Sequence, residues 1–123
     1  MQYITINDDG DKFYYRNKKM NILHREDGPA VEFADGDKVW WLNGKRHRED
    51  GPAVEYANGT KAWYLNDKLH REDGPALEHA DGYKDWFING EHYSEKEFNA
   101  KMTTCNDKEV VIDGKTYILK LKV

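Results

Sequence analysis

Three histidines, His24, His47 and His70, recur at intervals of 23 residues, and each opens the same string, His-Arg-Glu-Asp-Gly-Pro-Ala. Imidazole, guanidinium and two carboxylates side by side can bind metals, move protons or pair charges. Metal binding is the first chemistry to weigh. Equivalent residues of successive hairpins lie two strands apart, about 10 Å at ~4.8 Å per strand, whereas zinc holds its ligand atoms at about 2 Å. The histidines therefore predict a ladder rather than a cage. No metal or cofactor is expected, and each ring is assigned to packing or to capping a connector. Catalysis asks for one group with a tuned pKa, and triplicate copies are the mark of a scaffold. The chain has no Gly-x-Ser-x-Gly, no phosphate loop and no His-Glu-x-x-His. Cys105 stands in Thr103-Thr104-Cys105-Asn106-Asp107, read as a linker without a base nearby. A non-enzymatic protein is expected.

Charge pairing is the third chemistry. Arg25, Arg48 and Arg71 are expected to pair with Glu26, Glu49 and Glu72 along the ladder, or to form with them a charged ridge that recognises a protein. Exposed pairs contribute roughly 0–1 kcal/mol each, so stability does not demand them. Asp27-Gly28-Pro29 and its copies read as structural. Asp bonds a nearby backbone N–H in an Asx-turn, Gly allows unusual dihedrals, and Pro fixes φ at the strand entry.

The elements that hold these strings are short and β in character. After Gly28-Pro29 come Ala30-Val31-Glu32-Phe33-Ala34, an Asp35-Gly36 turn, Lys38-Val39-Trp40-Trp41-Leu42, and an Asn43-Gly44 turn. The next copies carry Asn58-Gly59 and Asn66-Asp67, then Asp81-Gly82 and Asn89-Gly90. Strands of about five residues with such punctuation predict an antiparallel meander of β-hairpins. A degenerate copy, Asp9-Gly10-Asp11-Lys12-Phe13-Tyr14-Tyr15, precedes them at an offset of 26 residues. Three segments follow: a capping hairpin over 1–23, three repeats over 24–92, and a C-terminal cap over 93–123. In the cap, Ser94 with Glu97 forms a capping box ahead of a short helix whose Phe98 and Met102 share a face. That helix is expected over the last hairpin. Glu109–Ile112 and Thr116–Leu119 are expected to form a closing hairpin that helps cover an edge.

Alternation places Trp40, Trp63 and Trp86 on one face with Leu42, Leu65 and Ile88, the expected packed face. Trp41, Tyr64 and Phe87 point the other way. Either the sheet curls over them or they are left for a partner, as a protein hot spot or a stacking platform. The formal charge of −4 comes from interleaved signs, so neither a phosphate-binding stripe nor a nucleic-acid mimic is present. A single cysteine excludes an internal disulfide. No stretch reaches membrane-spanning length, the first residues lack the pattern of a signal peptide, and a cytoplasmic location is expected.

The unit resembles the MORN repeat in its period, its Asp-Gly or Asn-Gly turn, its aromatic strand, and Asn43-Gly44-Lys45-Arg46-His47. It departs after the histidine, where MORN units continue Gly-x-Gly, and Trp40-Trp41-Leu42 replaces their Gly-Glu-Trp strand. The resemblance covers about residues 9–92 and is similar to a variant found in tailed-phage and bacterial proteins. It implies a scaffold or protein-binding module, with lipid contact for some members. On that footing the expected function is a phage-encoded antagonist that binds a host factor, such as a defence component, in the host cytoplasm. A self-assembling structural protein and a sponge for a nucleotide-like ligand are the alternatives.

Overall fold

Strict alternation and positive-φ turns set the architecture of the computed structural model, which describes the backbone of residues 2–106, 108–112 and 115–119 and the side chains of 2–102. The strands are β1 (Tyr3–Ile6), β2 (Lys12–Tyr15), β3 (Val31–Glu32), β4 (Lys38–Val39), β5 (Trp41–Leu42), β6 (Lys45–Arg46), β7 (Val54–Glu55) and β8 (Lys61–Ala62). They continue as β9 (Tyr64–Leu65), β10 (Lys68–Leu69), β11 (Leu77–Glu78), β12 (Lys84–Ile88) and β13 (Glu91–Tyr93). Helix α1 (Glu95–Asn106) and strands β14 (Lys108–Ile112) and β15 (Lys115–Leu119) follow. The protein is mainly β, an antiparallel meander of hairpins with one short helix. Nine strands form the main sheet in the order β1-β2-β3-β4-β7-β8-β11-β12-β13, and β5–β6 and β9–β10 leave it as side hairpins.

The expected five-residue strands are bent at their first aromatic residue. Trp40 donates its N–H to Ala53 in the main sheet (2.7 Å), while its carbonyl accepts from His47 in the side hairpin (3.1 Å). Tyr14 and Trp63 divide their backbone in the same way, toward Ala30 and His24, and toward Ala76 and His70. Each repeat thus contributes to two hydrogen-bonded layers. The side hairpins are tied to one another by Gly44 N–H to Leu23 O, Asp67 N–H to Arg46 O, and Gly90 N–H to Leu69 O, each 2.8 Å. In the last repeat the strand runs unbroken as β12.

Two kinds of turn serve the two layers. At Asn43-Gly44 both residues have positive φ, 52° and 78°, the mirror-image turn that matches strand twist. At Asp35-Gly36 only the glycine does, at 105°. There Gly36 donates to Phe33 O (3.0 Å) and Asp35 Oδ1 accepts from Asp37 N–H (3.0 Å), giving a longer turn closed by an Asx bond.

Register sorts the main sheet into two rows. Lys12, Glu32, Lys38, Glu55, Lys61, Glu78 and Lys84 are successive cross-strand partners, an alternating charge ladder. Cross-strand opposite charges of this kind support pairing. Phe13, Val31, Val39, Val54, Ala62 and Leu77 occupy the other face. Within the repeats the core is built from small residues: Ala30, Ala53 and Ala76, which end the repeated string, have no exposed surface. The degenerate first copy keeps this register, with Phe13 opposite Val31, and its extra residues lie in the loop between Tyr15 and Leu23.

The C-terminal expectations hold in their main lines. Ser94 N–H donates to Glu97 Oε1 and Glu97 N–H to Ser94 Oγ, both 3.1 Å, so the capping box is closed. Phe98 and Met102 bury against Ile88 with Trp86 and Tyr93 beside them, which lays α1 over β12 and β13. The helix extends past Met102 to Asn106. Cys105 therefore sits on its last turn, not in a linker. The closing hairpin forms with Val111 opposite Thr116, as a two-stranded sheet of its own. At the other end β1 is an edge strand that exposes Ile4 and Ile6.

Candidate functional site

The repeated strings become loops, and successive loops enclose clefts. One cleft of about 740 Å³ lies between the Arg25–Pro29 and Arg48–Asp50 loops, with Trp40, Leu42 and His47 lining it. Its copy, about 730 Å³, lies between the Arg48–Pro52 and Arg71–Asp73 loops, over Trp63, Leu65 and His70. A smaller one, about 580 Å³, repeats the pattern over Tyr15 and Arg16, with Gln2 and Asp27 on its walls. Trp40 with Leu42, and Trp63 with Leu65, do share a face as alternation requires. That face is a half-buried cleft floor rather than the packed core expected of it. Only Trp86 and Ile88 are packed, because α1 stands where a fourth string would begin.

Each loop is organised around its arginine. Arg48 donates from Nε to Asp50 Oδ1 (3.0 Å), and from its terminal nitrogen to the Pro52 carbonyl (3.0 Å) and Glu55 (3.5 Å). Its guanidinium carbon lies 3.9 Å from the centre of the Trp40 ring. Arg71 repeats the set with Asp73, Pro75, Glu78 and Trp63. Arg25 does so with Asp27, Pro29, Glu32 and Tyr14. The Arg–Glu pairing between neighbours in the string is corrected by this geometry. The arginine, at 20–23% exposure, turns inward to the aspartate two residues on and to the sheet glutamate. Glu26, Glu49 and Glu72 remain outside, 84%, 84% and 74% exposed, and among the described residues each has only a histidine Nε2 nearby, at 3.4–3.5 Å.

The glycine of the string also has a different reason from the one expected. Gly28, Gly51 and Gly74 are not among the positive-φ residues. A Cβ at Gly51 would stand 3.0 Å from Arg48 Cζ, and the copies are equally tight. Glycine leaves room for the guanidinium, which a Cβ would press aside by a few tenths of an ångström. The Asx-turn expected of Asp27 is not among the hydrogen bonds of the described residues: its carboxylate accepts from Arg25, and this bond, then its own backbone N–H, holds the carboxyl below the usual aspartate range.

The histidines cap turns. His24, His47 and His70 accept at Nδ1 from the backbone N–H of Asn43, Asn66 and Asn89, at 2.9, 3.0 and 3.0 Å. An accepting Nδ1 leaves the ring hydrogen on Nε2, toward the glutamate. Each ring thereby ties the start of its repeat to the asparagine turn near that repeat's end, and among the described residues no group of three or more His, Cys, Asp or Glu is arranged to hold a metal.

Trp41 and Tyr64 lie in the side hairpins and Phe87 in β12, and all three are half-buried. Arg46 covers Tyr64 at 4.2 Å, and His92 meets Phe87 edge-on at 5.1 Å. Trp41 Nε1 is buried without a hydrogen-bond partner among the described residues. Tyr64 and Phe87 are thus in contact with the chain itself; the cleft tryptophans carry Arg48 and Arg71 on their rings but still line open clefts.

One cluster breaks the repeat. Asp85 occupies the register position of Val39 and Ala62, and its carboxylate bridges His92 Nε2 (3.2 Å) and His79 Nε2 (3.6 Å). Sequence reasoning passed over it. The signal available was a carboxylate at a position that is apolar in the other copies.

Fold and site together define a β-hairpin repeat protein whose loops frame a row of equivalent clefts. Comparison with family models, characterised proteins and solved structures returns no match. No helix among the described residues is long and apolar enough to cross a membrane.

Proposed function

We propose that this is a non-enzymatic protein-binding repeat module whose binding surface is the row of clefts between the His-Arg-Glu-Asp-Gly-Pro-Ala loops. One observation carries the reading: the same cleft recurs, with the same aromatic and aliphatic floor and the same charged walls. A repeated shallow site suits an extended ligand touched several times over. A partly apolar floor inside a polar rim is the usual anatomy of a protein contact. The resemblance of the repeat to MORN units from tailed phages is what points to a host factor, a defence component among the candidates, as the partner.

Affinity capture from bacterial lysate tests this. The bait is run beside a Leu42→Ser, Leu65→Ser variant whose circular dichroism matches the parent. One near-stoichiometric protein, lost with the variant, supports the reading. Capture that the variant retains moves the site off the clefts, and absence of any captured protein counts against the host-factor reading.

A further inference from the structure

We infer that the two larger clefts receive arginine side chains from an extended segment of the partner, two arginines separated by two residues. This rests on the cleft reading above and adds the chemistry of what enters. The chain's own arginines are already committed. Arg25, Arg48 and Arg71 are turned into their loops and bonded to Asp27, Asp50 and Asp73. What remains outward on the cleft walls is carboxylate. Glu26 and Glu49 stand on the walls of one cleft, Glu49 and Glu72 on the other. Among the described residues, the only ion-pair partner of each is a histidine. The floor of each cleft carries a tryptophan, the aromatic ring that attracts a cation most strongly.

The chain shows how its own framework seats a guanidinium. Arg46 lies 4.2 Å over the Tyr64 ring while its Nε donates to Asp67 Oδ1 at 2.6 Å. Arg48 and Arg71 lie 3.9 Å over Trp40 and Trp63 with a carboxylate at Nε. An aromatic plane with a carboxylate at its edge is the arrangement that distinguishes arginine from lysine, because the planar fork stacks and pairs at once. The clefts offer an incoming side chain their wall carboxylates and the part of each tryptophan that the chain's own arginine leaves uncovered.

Spacing selects the segment. Equivalent points of successive repeats are two strands apart, about 10 Å. A polyproline-type segment rises about 3.1 Å per residue with three residues per turn, so positions i and i+3 project to one side about 9.3 Å apart. Positions i and i+2 of a β-strand share a side at about 7 Å and fit less well.

Short peptides of equal net charge test the inference by calorimetry and by the fluorescence of the cleft tryptophans. Two arginines are separated by two residues, by one, or by five, with a lysine version of the first. The protein is compared with a Glu26→Gln, Glu49→Gln, Glu72→Gln variant, which keeps an acceptor for each histidine and is checked by its melting curve. The expected result is that the two-residue spacing binds roughly tenfold more tightly than the one-residue spacing and the lysine version. The triple variant loses roughly tenfold or more of that affinity. Equal binding at all spacings, binding unchanged in the triple variant, or no binding of the favoured peptide would each overturn it. If lysate capture depends on Leu42 and Leu65 while the peptides fail, the clefts bind a partner of other chemistry. If capture ignores those leucines, the cleft reading itself has failed.

Discussion

At the scale of single residues, the repeated string encodes a guanidinium and the space it needs. Arg48 is held by Asp50, the Pro52 carbonyl, Glu55 and the Trp40 ring, while Gly51 leaves room for it. The two residues should therefore be coupled. Gly51→Ala is expected to cost roughly 1–2 kcal/mol, because a Cβ 3.0 Å from Arg48 Cζ must displace it. Arg48→Ala is expected to cost about 2 kcal/mol through lost charge-assisted bonds and ring contact. The double variant should cost clearly less than the sum, since the clash disappears with the guanidinium. Gly59 is the control. Its φ is +96° and nothing lies within 4 Å of where a Cβ would stand, so Gly59→Ala costs roughly 1 kcal/mol from backbone strain alone and adds to Arg48→Ala. Urea unfolding of the five variants checks both statements, and simple additivity of Gly51 with Arg48 would remove this account of the glycine.

At the scale of elements, the helix cap makes the clearest statement about pH. The Glu97 carboxyl is held below its ordinary value of 4.5 by the Ser94 backbone N–H, then by the Ser94 hydroxyl, with the nearby His92 charge adding a little. A depressed carboxyl stabilises the fold above its ordinary pKa, and that contribution fades as pH falls through the folded value. Ser94→Ala should cost about 1 kcal/mol at neutral pH, and the gap from the parent should narrow once the pH falls below 4.5 and through the lowered value of the folded state, where Glu97 takes up its proton. Melting curves at the two pH values decide it; a gap independent of pH would mean that Glu97 does not act through Ser94. This cap was legible in the sequence because every contact in it is local. The hairpin order was legible for a similar reason, since turn residues and alternation are short-range signals. The bend at Trp40 was not, because it arises from dividing one residue's N–H and C=O between Ala53 and His47. The arginine's partner was equally hidden: three carboxylates stand within seven positions of Arg48, and only the folded loop turns it toward Asp50 and Glu55.

At the scale of the whole molecule, stability should be a sum over repeats and junctions, because each unit is bonded mainly to its neighbours. The junctions are nearly interchangeable. Each hairpin is joined to the one before it by an asparagine N–H donating to a histidine Nδ1, a carbonyl accepting from an arginine N–H, and a turn N–H bonded back into the preceding unit. Ala57 N–H, for example, reaches Asp37 Oδ1, and Ala80 N–H reaches Thr60 Oγ1. A second copy of residues 47–69 inserted between Leu69 and His70 would meet Thr60 of the first copy where Ala57 now meets Asp37, and would keep its own His47–Asn66 bond. Two contacts of Arg46 would be missing at the new junction, its stacking on the Tyr64 ring and its ion pair with Asp67. Asp67 of the inserted copy would face Leu69 where Asp67 now faces Arg46 at 2.6 Å. That pair is partly exposed and its loss should cost at most about 1 kcal/mol, less than a packed repeat contributes. The enlarged protein is therefore expected to fold, to melt a few degrees higher, and to gain one cleft. A three-arginine peptide with two-residue spacers should then bind more tightly to it than to the parent, through the added contact. Melting curves and calorimetry on the two proteins check this together. An insertion that unfolds the chain would show that the ends, and not the junctions, carry the stability of the array.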